Sequence, residues 1–316
     1  MKINIKGIWE ILKSSFSGFS NDKVMKLSAA LAYYTVFSVG PLLIVIVAVC
    51  SIFFGREAIE GTIYGQIQGF VGPDAAAQLQ EIIKNAAIGG KGKVAFVIGI
   101  VTLLVGATSM FAEMQDSINT IWGLKAKPQK KAWVILIKNR LLSFGVIASL
   151  GFLLLVSLAV SGLVDALSTR LQAYFHNVAV VTFYIINLII TFGVIATLFA
   201  VIFRVLPDAK IKWKDVMAGA IATAVLFMLG KFAISFYISK SNVGSTYGTA
   251  GSLVILLVWI YYSSVILYFG AEFTKAYAIK YGDSIRPNDY AVVTKTIEVD
   301  EGKKSVQQVH DEKQEK

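Results

Sequence analysis

Six stretches of the chain stay apolar for longer than a soluble core requires: Leu27 to Phe54, Val94 to Met110 with a more polar continuation to Trp122, Leu141 to Val164, Val178 to Phe203, Val216 to Ile238, and Thr249 to Ala276. A helix needs about 20 mostly apolar residues to cross a bilayer, and charge flanks each of these runs. Barrel strands would alternate polar and apolar positions over about ten residues, whereas these runs are continuous, and hydrocarbon offers a bare backbone no partner outside its own helix. The pattern predicts an all-α integral membrane protein, a six-transmembrane-helix bundle.

Ahead of the first run, Ile5, Ile8, Trp9, Leu12, Phe16 and Phe19 recur at three- and four-residue spacing, with Lys2, Lys6 and Lys13 off the stripe. That periodicity predicts an amphipathic helix over the N-terminal segment 1–26, either lying in the interface or packed on one end of the bundle. Ser20, Asn21 and Asp22 then mark the bend into the first span. The membrane domain is expected over 27–282. Its one large insert, 55–93, contains two short helix-like runs around Gly72 and Pro73 and reads as a helical hairpin in the first external loop. The tail, 283–316, is polar and densely charged, which predicts disorder at its end.

Charge orients the bundle. Of the 30 Lys and Arg, five precede Leu27, six lie between Lys125 and Arg140, four between Arg204 and Lys214, and eight from Lys275 onward. The positive-inside rule puts these four groups on one side, with both termini cytoplasmic. The excess of positive charge is then loop charge facing anionic lipid headgroups. The basic residues lack interleaved stacking aromatics, so no nucleic-acid partner is expected. The lone Cys50 and the distant His176 and His310 supply neither a disulfide nor a metal site, and no cofactor is expected. The first apolar run starts too late and runs too long for a cleaved signal peptide.

Within the spans, three groups of residues stand out. Ser38, Gly40 and Pro41 interrupt the first span, as an ordinary kink or as the broken helix of a transport site. Lys231 lies about 10 Å inside the outer end of the fifth span at 1.5 Å per residue. Ser235 and Ser239 continue its face outward, and Asn187 of the fourth span falls at a similar depth. These four form a candidate polar site in the outer half, with a snorkelling lysine as the competing reading. At the opposite end Glu113, Asp116, Asn119, Arg140, Arg204 and Glu272 form a candidate inner charge cluster, read first as an ion-pair network and second as a proton-relay or headgroup site. No nucleophile–base pair, phosphate loop or Walker motif accompanies them, and the chain is not expected to be an enzyme.

Four segments carry a resemblance to a known family. AALAYYTVFSVGPLLIV from Ala29, SINTIWGL from Ser117, FRVLPDAKIKWKDVMAGA from Phe203 and GTAGSLVILLVWIYYSSVILYFGAEF from Gly248 together resemble the YihY/BrkB family of bacterial inner-membrane proteins, over about Ile8 to Tyr281. The matching positions are Tyr33, Tyr34, Ser38 and Pro41, then Asn119 and Trp122, then Arg204, Leu206, Pro207 and Gly219, and finally Gly251, Trp259, Tyr261, Tyr262, Gly270, Ala271 and Glu272. The second motif departs from the family pattern, with Ser117 and Ile118 where Ala and Leu are expected before Asn119. The resemblance implies a multi-pass bacterial cell-membrane protein of a family once labelled ribonuclease BN, with suggested roles in envelope integrity, virulence and lipid-related transport. Nothing in the residues supports the ribonuclease label. The expectation is a transporter-like protein moving or positioning an amphiphilic envelope molecule, with a lipid as the candidate and membrane lipids as partners. The alternative is a non-transporting scaffold or regulator, and a homo-oligomer or an envelope protein is a possible partner in either case.

Overall fold

A computed structural model of the chain describes residues 4–38, 76–77, 80, 93–127, 178–240, 251–283 and 285–294. The third expected span, nearly all of the 55–93 insert, Gly40, Pro41, Arg140 and the chain past 294 lie outside the described residues.

Helix α1 spans Ile5–Asn21. Asn4 caps it, accepting a hydrogen bond from the Gly7 amide at 2.7 Å and so satisfying one of the amides a helix start leaves bare. The helix stops at Asp22, and Lys23 turns the chain with a left-handed φ of 53° before helix α2 resumes over residues 24–38. The polar stretch Ser20 to Asp22 is therefore the bend that the sequence predicts.

Four longer elements follow: α3 (Lys93–Ile121), α4 (Val178–Val205), α5 (Trp213–Lys240) and α6 (Gly251–Tyr281). Three are long and apolar enough to cross a membrane, over Ile185–Val205, Trp213–Ile238 and Leu253–Tyr281. Arg204, Lys240 and Lys280 occupy the last turns of α4, α5 and α6, and Asp215 the first turn of α5, each complementing the local helix dipole.

Four short strands tie the helix ends together. Antiparallel β1 (Leu124–Ala126) and β4 (Ala291–Val293) pair in the register Leu124 to Val293, and β2 (Ala209–Lys210) pairs with β3 (Arg286–Pro287). The chain after α6 thus returns to the loop after α3 and to the loop between α4 and α5. Together with α1, which docks on the last turns of α6, these are segments that the positive-inside count grouped together. They meet at one end of the described helices.

The core centres on α6, which packs against α5, α1 and α3. Along α5 and α6 two Gly-x-x-x-Thr pairs face each other: a Cβ on Gly219 would strike the Thr274 hydroxyl, and a Cβ on Gly270 would strike the Thr223 hydroxyl. Each threonine donates back to the glycine of its own helix, Thr223 Oγ1 to the Gly219 carbonyl and Thr274 Oγ1 to the Gly270 carbonyl, both at 2.7 Å. Its polar atom is satisfied without a solvent partner. Ala220, Ala224 and Ala271 are buried in the same core, where the two backbones come close in the way small residues permit inside membranes.

The α1 helix presents two faces. Gly7, Ile11 and Ser15 are buried, and a Cβ on Gly7 would meet the Tyr281 side chain. Phe16 and Phe19 meet the Phe269 ring of α6, while Ile8, Trp9 and much of Phe16 stay exposed, Trp9 at 68% and Phe16 at 63%. The packing of α1 on α6 matches the second reading of the sequence stripe, a helix docked on one end of the bundle.

Replacing Gly270 with valine should force α5 and α6 apart and cost about 1–3 kcal/mol through overpacking. Gly193→Ala, where an added Cβ meets nothing within 4 Å, should be close to neutral. Thermal unfolding of both variants in one detergent checks this; equal midpoints would refute the seam.

Candidate functional site

The strand-tied end of the bundle holds three polar groups, each positioned by a different pair of elements.

The first joins α1 to α6. Glu272 is 2% exposed, and its carboxylate occupies the space that a Gly18 side chain would need. Lys275, one turn on, sits 3.6 Å from Glu272 Oε2 and 3.3 Å from Asp22 Oδ2, and also donates to the Ile121 carbonyl at the end of α3. One ammonium therefore bridges two carboxylates and a bare helix-end carbonyl. Glu272 Oε1 has no hydrogen-bond partner among the described residues. Nearer the surface Lys280 pairs with Glu10; that hydrogen bond and charge hold the Glu10 carboxyl below its usual range.

The second lies one turn back along α6. The Tyr268 side chain is 0% exposed and its hydroxyl has no partner among the described residues. Ser117 Oγ donates to Glu113 Oε1 at 3.4 Å. Trp122 Nε1 donates to the Ala271 carbonyl at 3.1 Å and fixes the end of α3 against α6.

The third joins α3 to the loop after α4. Asp208 is buried, and its carboxylate accepts from Gln115 Nε2 and Asn119 Nδ2, both at 2.9 Å, while the Asp208 amide donates to Asn119 Oδ1 at 2.8 Å. The Asn288 amide donates to the Asp208 carbonyl at 2.9 Å. Two primary amides thus hold a buried carboxylate and set the loop from which β2 runs to β3.

The expected inner cluster accordingly divides. Asn119 joins Asp208, which sequence reasoning did not single out; Glu272 joins Lys275, which also reaches Asp22, both likewise overlooked; Glu113 accepts from Ser117, and Asp116 is exposed on α3. Arg204 Cζ lies over the Trp213 ring, 5.8 Å from its centroid. A signal for Asp208 was present, since it stands inside the quoted segment beginning at Phe203. Asp22 read only as a helix cap and Lys275 only as loop charge.

In the other half, Lys231 and Ser235 are half-buried on α5, and Lys231 Nζ lies 5.7 Å from the Phe232 ring centroid. Asn187 is exposed on α4, and the side chain of Ser239 lies outside the described residues. Ser38 is buried on α2, donating to the Tyr34 carbonyl at 2.6 Å and facing Gly106 of α3. Among the described residues no group of three His, Cys, Asp or Glu side chains is placed to hold a metal ion.

Long apolar helices closed at one end by buried ionic contacts define a helical membrane protein. The profile of the family described as virulence factor BrkB matches residues 15–292, and the chain belongs to that family. It is similar to a UPF0761 membrane protein of Stenotrophomonas maltophilia, 30% identical over 266 residues, 82% of this chain and 59% of the relative. The chain thus spans less than two thirds of that relative's length. It is also 26% identical over 270 residues to a UPF0761 membrane protein of Pseudoalteromonas atlantica, covering 84% of this chain and 85% of the relative. A Haemophilus influenzae UPF0761 membrane protein is 26% identical over 257 residues, 80% and 90% of the two chains. No solved structure matches.

Asp208→Ala should leave the Gln115 and Asn119 amides without their acceptor. A hydrogen bond to a charged group is worth about 1.5–3 kcal/mol, so the loop carrying Lys210 and Lys212 should open to trypsin several-fold faster than in the wild type. Unchanged cleavage rates at these lysines would show that the amides hold nothing in place.

Proposed function

We propose that this protein moves or positions an amphiphilic envelope molecule, an anionic lipid by preference, across or within a bacterial cytoplasmic membrane. In this reading six helices cross the bilayer, both termini are cytoplasmic, and the strand-tied end faces the cytoplasm. The observation that carries the reading is the burial of Glu272 and Tyr268 on successive turns of a mainly apolar helix, each with a polar atom that has no hydrogen-bond partner among the described residues. Ionisable groups inside a membrane domain are costly to keep, and they commonly line the route of a polar solute. Lys231 and Ser235 supply the polar positions of the opposite half, and the exposed lysines around α1 and β2 attract anionic headgroups to the entrance. The outward apolar face of α1 would seat in the interface beside that entrance.

Purified protein in liposomes containing a trace of fluorescent anionic lipid tests this through dithionite quenching. Protein-dependent loss of the inner-leaflet signal is expected, reduced at least several-fold by Glu272→Ala or Lys231→Ala in folded, inserted protein. Absence of any protein-dependent movement, or equal movement in both variants, overturns the proposal. One recurrent crosslinked protein partner in a membrane where no lipid moves would replace it with the scaffold reading.

A further inference from the structure

The stretch that joins α4 to α5 carries four cations, Arg204, Lys210, Lys212 and Lys214, and the fold treats them in two ways. Lys210 pairs with Asp289 at 2.8 Å and Lys212 pairs with Asp283, so the chain after α6 neutralises both. Arg204 and Lys214 have no carboxylate partner among the described residues. Arg204 Cζ lies instead over the Trp213 ring, 5.8 Å from its centroid, where the face of the ring attracts a cation.

The surrounding chain holds this pair in place. Arg204 is in the last turn of α4, and Trp213 opens α5. Between them Leu206, Pro207 and Asp208 are buried, the Asp208 carboxylate accepts from Gln115 and Asn119, and β2 is paired with β3. A guanidinium over an aromatic face keeps its in-plane N–H groups for an oxyanion and can offer two of them in parallel.

The position of the pair selects the kind of anion. Arg204 stands at the end of the apolar run Ile185–Val205 and Trp213 at the start of Trp213–Ile238, both long enough to cross a membrane. That places them at the boundary between hydrocarbon and headgroups. Along α5, Trp213, Met217 and Ile221 follow at four-residue spacing and are exposed, and Lys214 is exposed on the same arc, while Asp215, Val216, Gly219 and Ala220 are buried. Two cations at the head of an exposed apolar stripe match a molecule with an anionic head and a hydrocarbon tail, and a free anion would leave the stripe unused.

We propose that Arg204, Trp213 and Lys214 form a binding site for the phosphate of an anionic phospholipid, with its acyl chain along Met217 and Ile221. Arg204 supplies the bidentate contact, Trp213 holds the guanidinium, and Lys214 adds charge. The proposal rests on the transport reading in taking an anionic lipid as the ligand, but holding a headgroup requires no movement between leaflets, so each can fail while the other stands.

Native mass spectrometry of the full-length protein in a neutral detergent, titrated with dioleoyl phosphatidylglycerol, counts the bound lipid. The wild type should retain one phosphatidylglycerol per chain more tightly than further copies, and in preference to phosphatidylcholine, whose choline offsets the phosphate charge. Arg204→Ala should weaken that first binding by about tenfold or more, the weight of a charge-assisted contact, and Arg204→Lys should not restore it. Lys240→Ala, at the far end of α5, should bind as the wild type does. If a thermal melt shows that Arg204→Ala fails to fold, Lys214→Glu decides, since an acid in the first turn suits the helix dipole but repels the headgroup. Displacement of the lipid by an equal concentration of inorganic phosphate would make the site one for a free anion and overturn the lipid assignment. Equal retention of phosphatidylcholine, wild-type binding by Arg204→Lys, or undiminished binding in a folded Arg204→Ala or Lys214→Glu overturns the site itself.

Discussion

The close approach of α5 and α6 is the constraint on which the rest depends. Lipid tails solvate apolar side chains as well as other side chains do, so two membrane helices gain little from hydrophobicity alone and must gain from shape and satisfied polar atoms. The opposed Gly219/Thr274 and Thr223/Gly270 contacts supply both. With that seam set, α6 has one side occupied by α5, leaving its other sides for α1 and α3. Glu272 lies on the side packed against Gly18 of α1, and Tyr268 is buried in the core cluster.

The two kinds of buried polar group at the strand-tied end differ in how well they are satisfied. Asp208 has donors on both oxygens and the loop's own amides engaged, and such a group fixes geometry. Glu272 and Tyr268 each retain an atom with no hydrogen-bond partner among the described residues. A buried polar group left short of partners is costly to stability, and a chain that keeps two of them one turn apart on a single helix spends stability where a latch like Asp208 would have been safer. That contrast separates structural polarity from the polarity on which the functional reading rests.

How much of this was legible in the sequence depended on whether the signal was local. Length and apolarity marked the three described spans, and the Ser20 to Asp22 stretch marked the turn, because both are properties of contiguous residues. The grouping of basic segments was legible because charge adds over loops without regard to geometry. The composition of the site was not. Asn119 and Glu272 carry the same kind of label in sequence, yet one joins a loop 89 positions away and the other a helix 250 positions before it. Facing directions in a mainly apolar helix are also hidden: the contact between α5 and α6 is set by glycine and threonine, weak signals by themselves. The stripe on α1 passed over Gly7, Ile11 and Ser15, which form its buried face.

The pairing of β1 with β4 and of β2 with β3 has a consequence for biosynthesis. The partners of the loops after α3 and α4 belong to the stretch 286–293, which leaves the ribosome only after every described helix has been made. Until then Asp208 lacks the Asn288 amide on its carbonyl, and Leu124 to Ala126 have no ladder. Assembly of this end is therefore ordered in time: the helices can enter the membrane and pack as they are made, but the clasp that locks them closes last, and a truncation before residue 286 yields a bundle with its helices present and its loops untied.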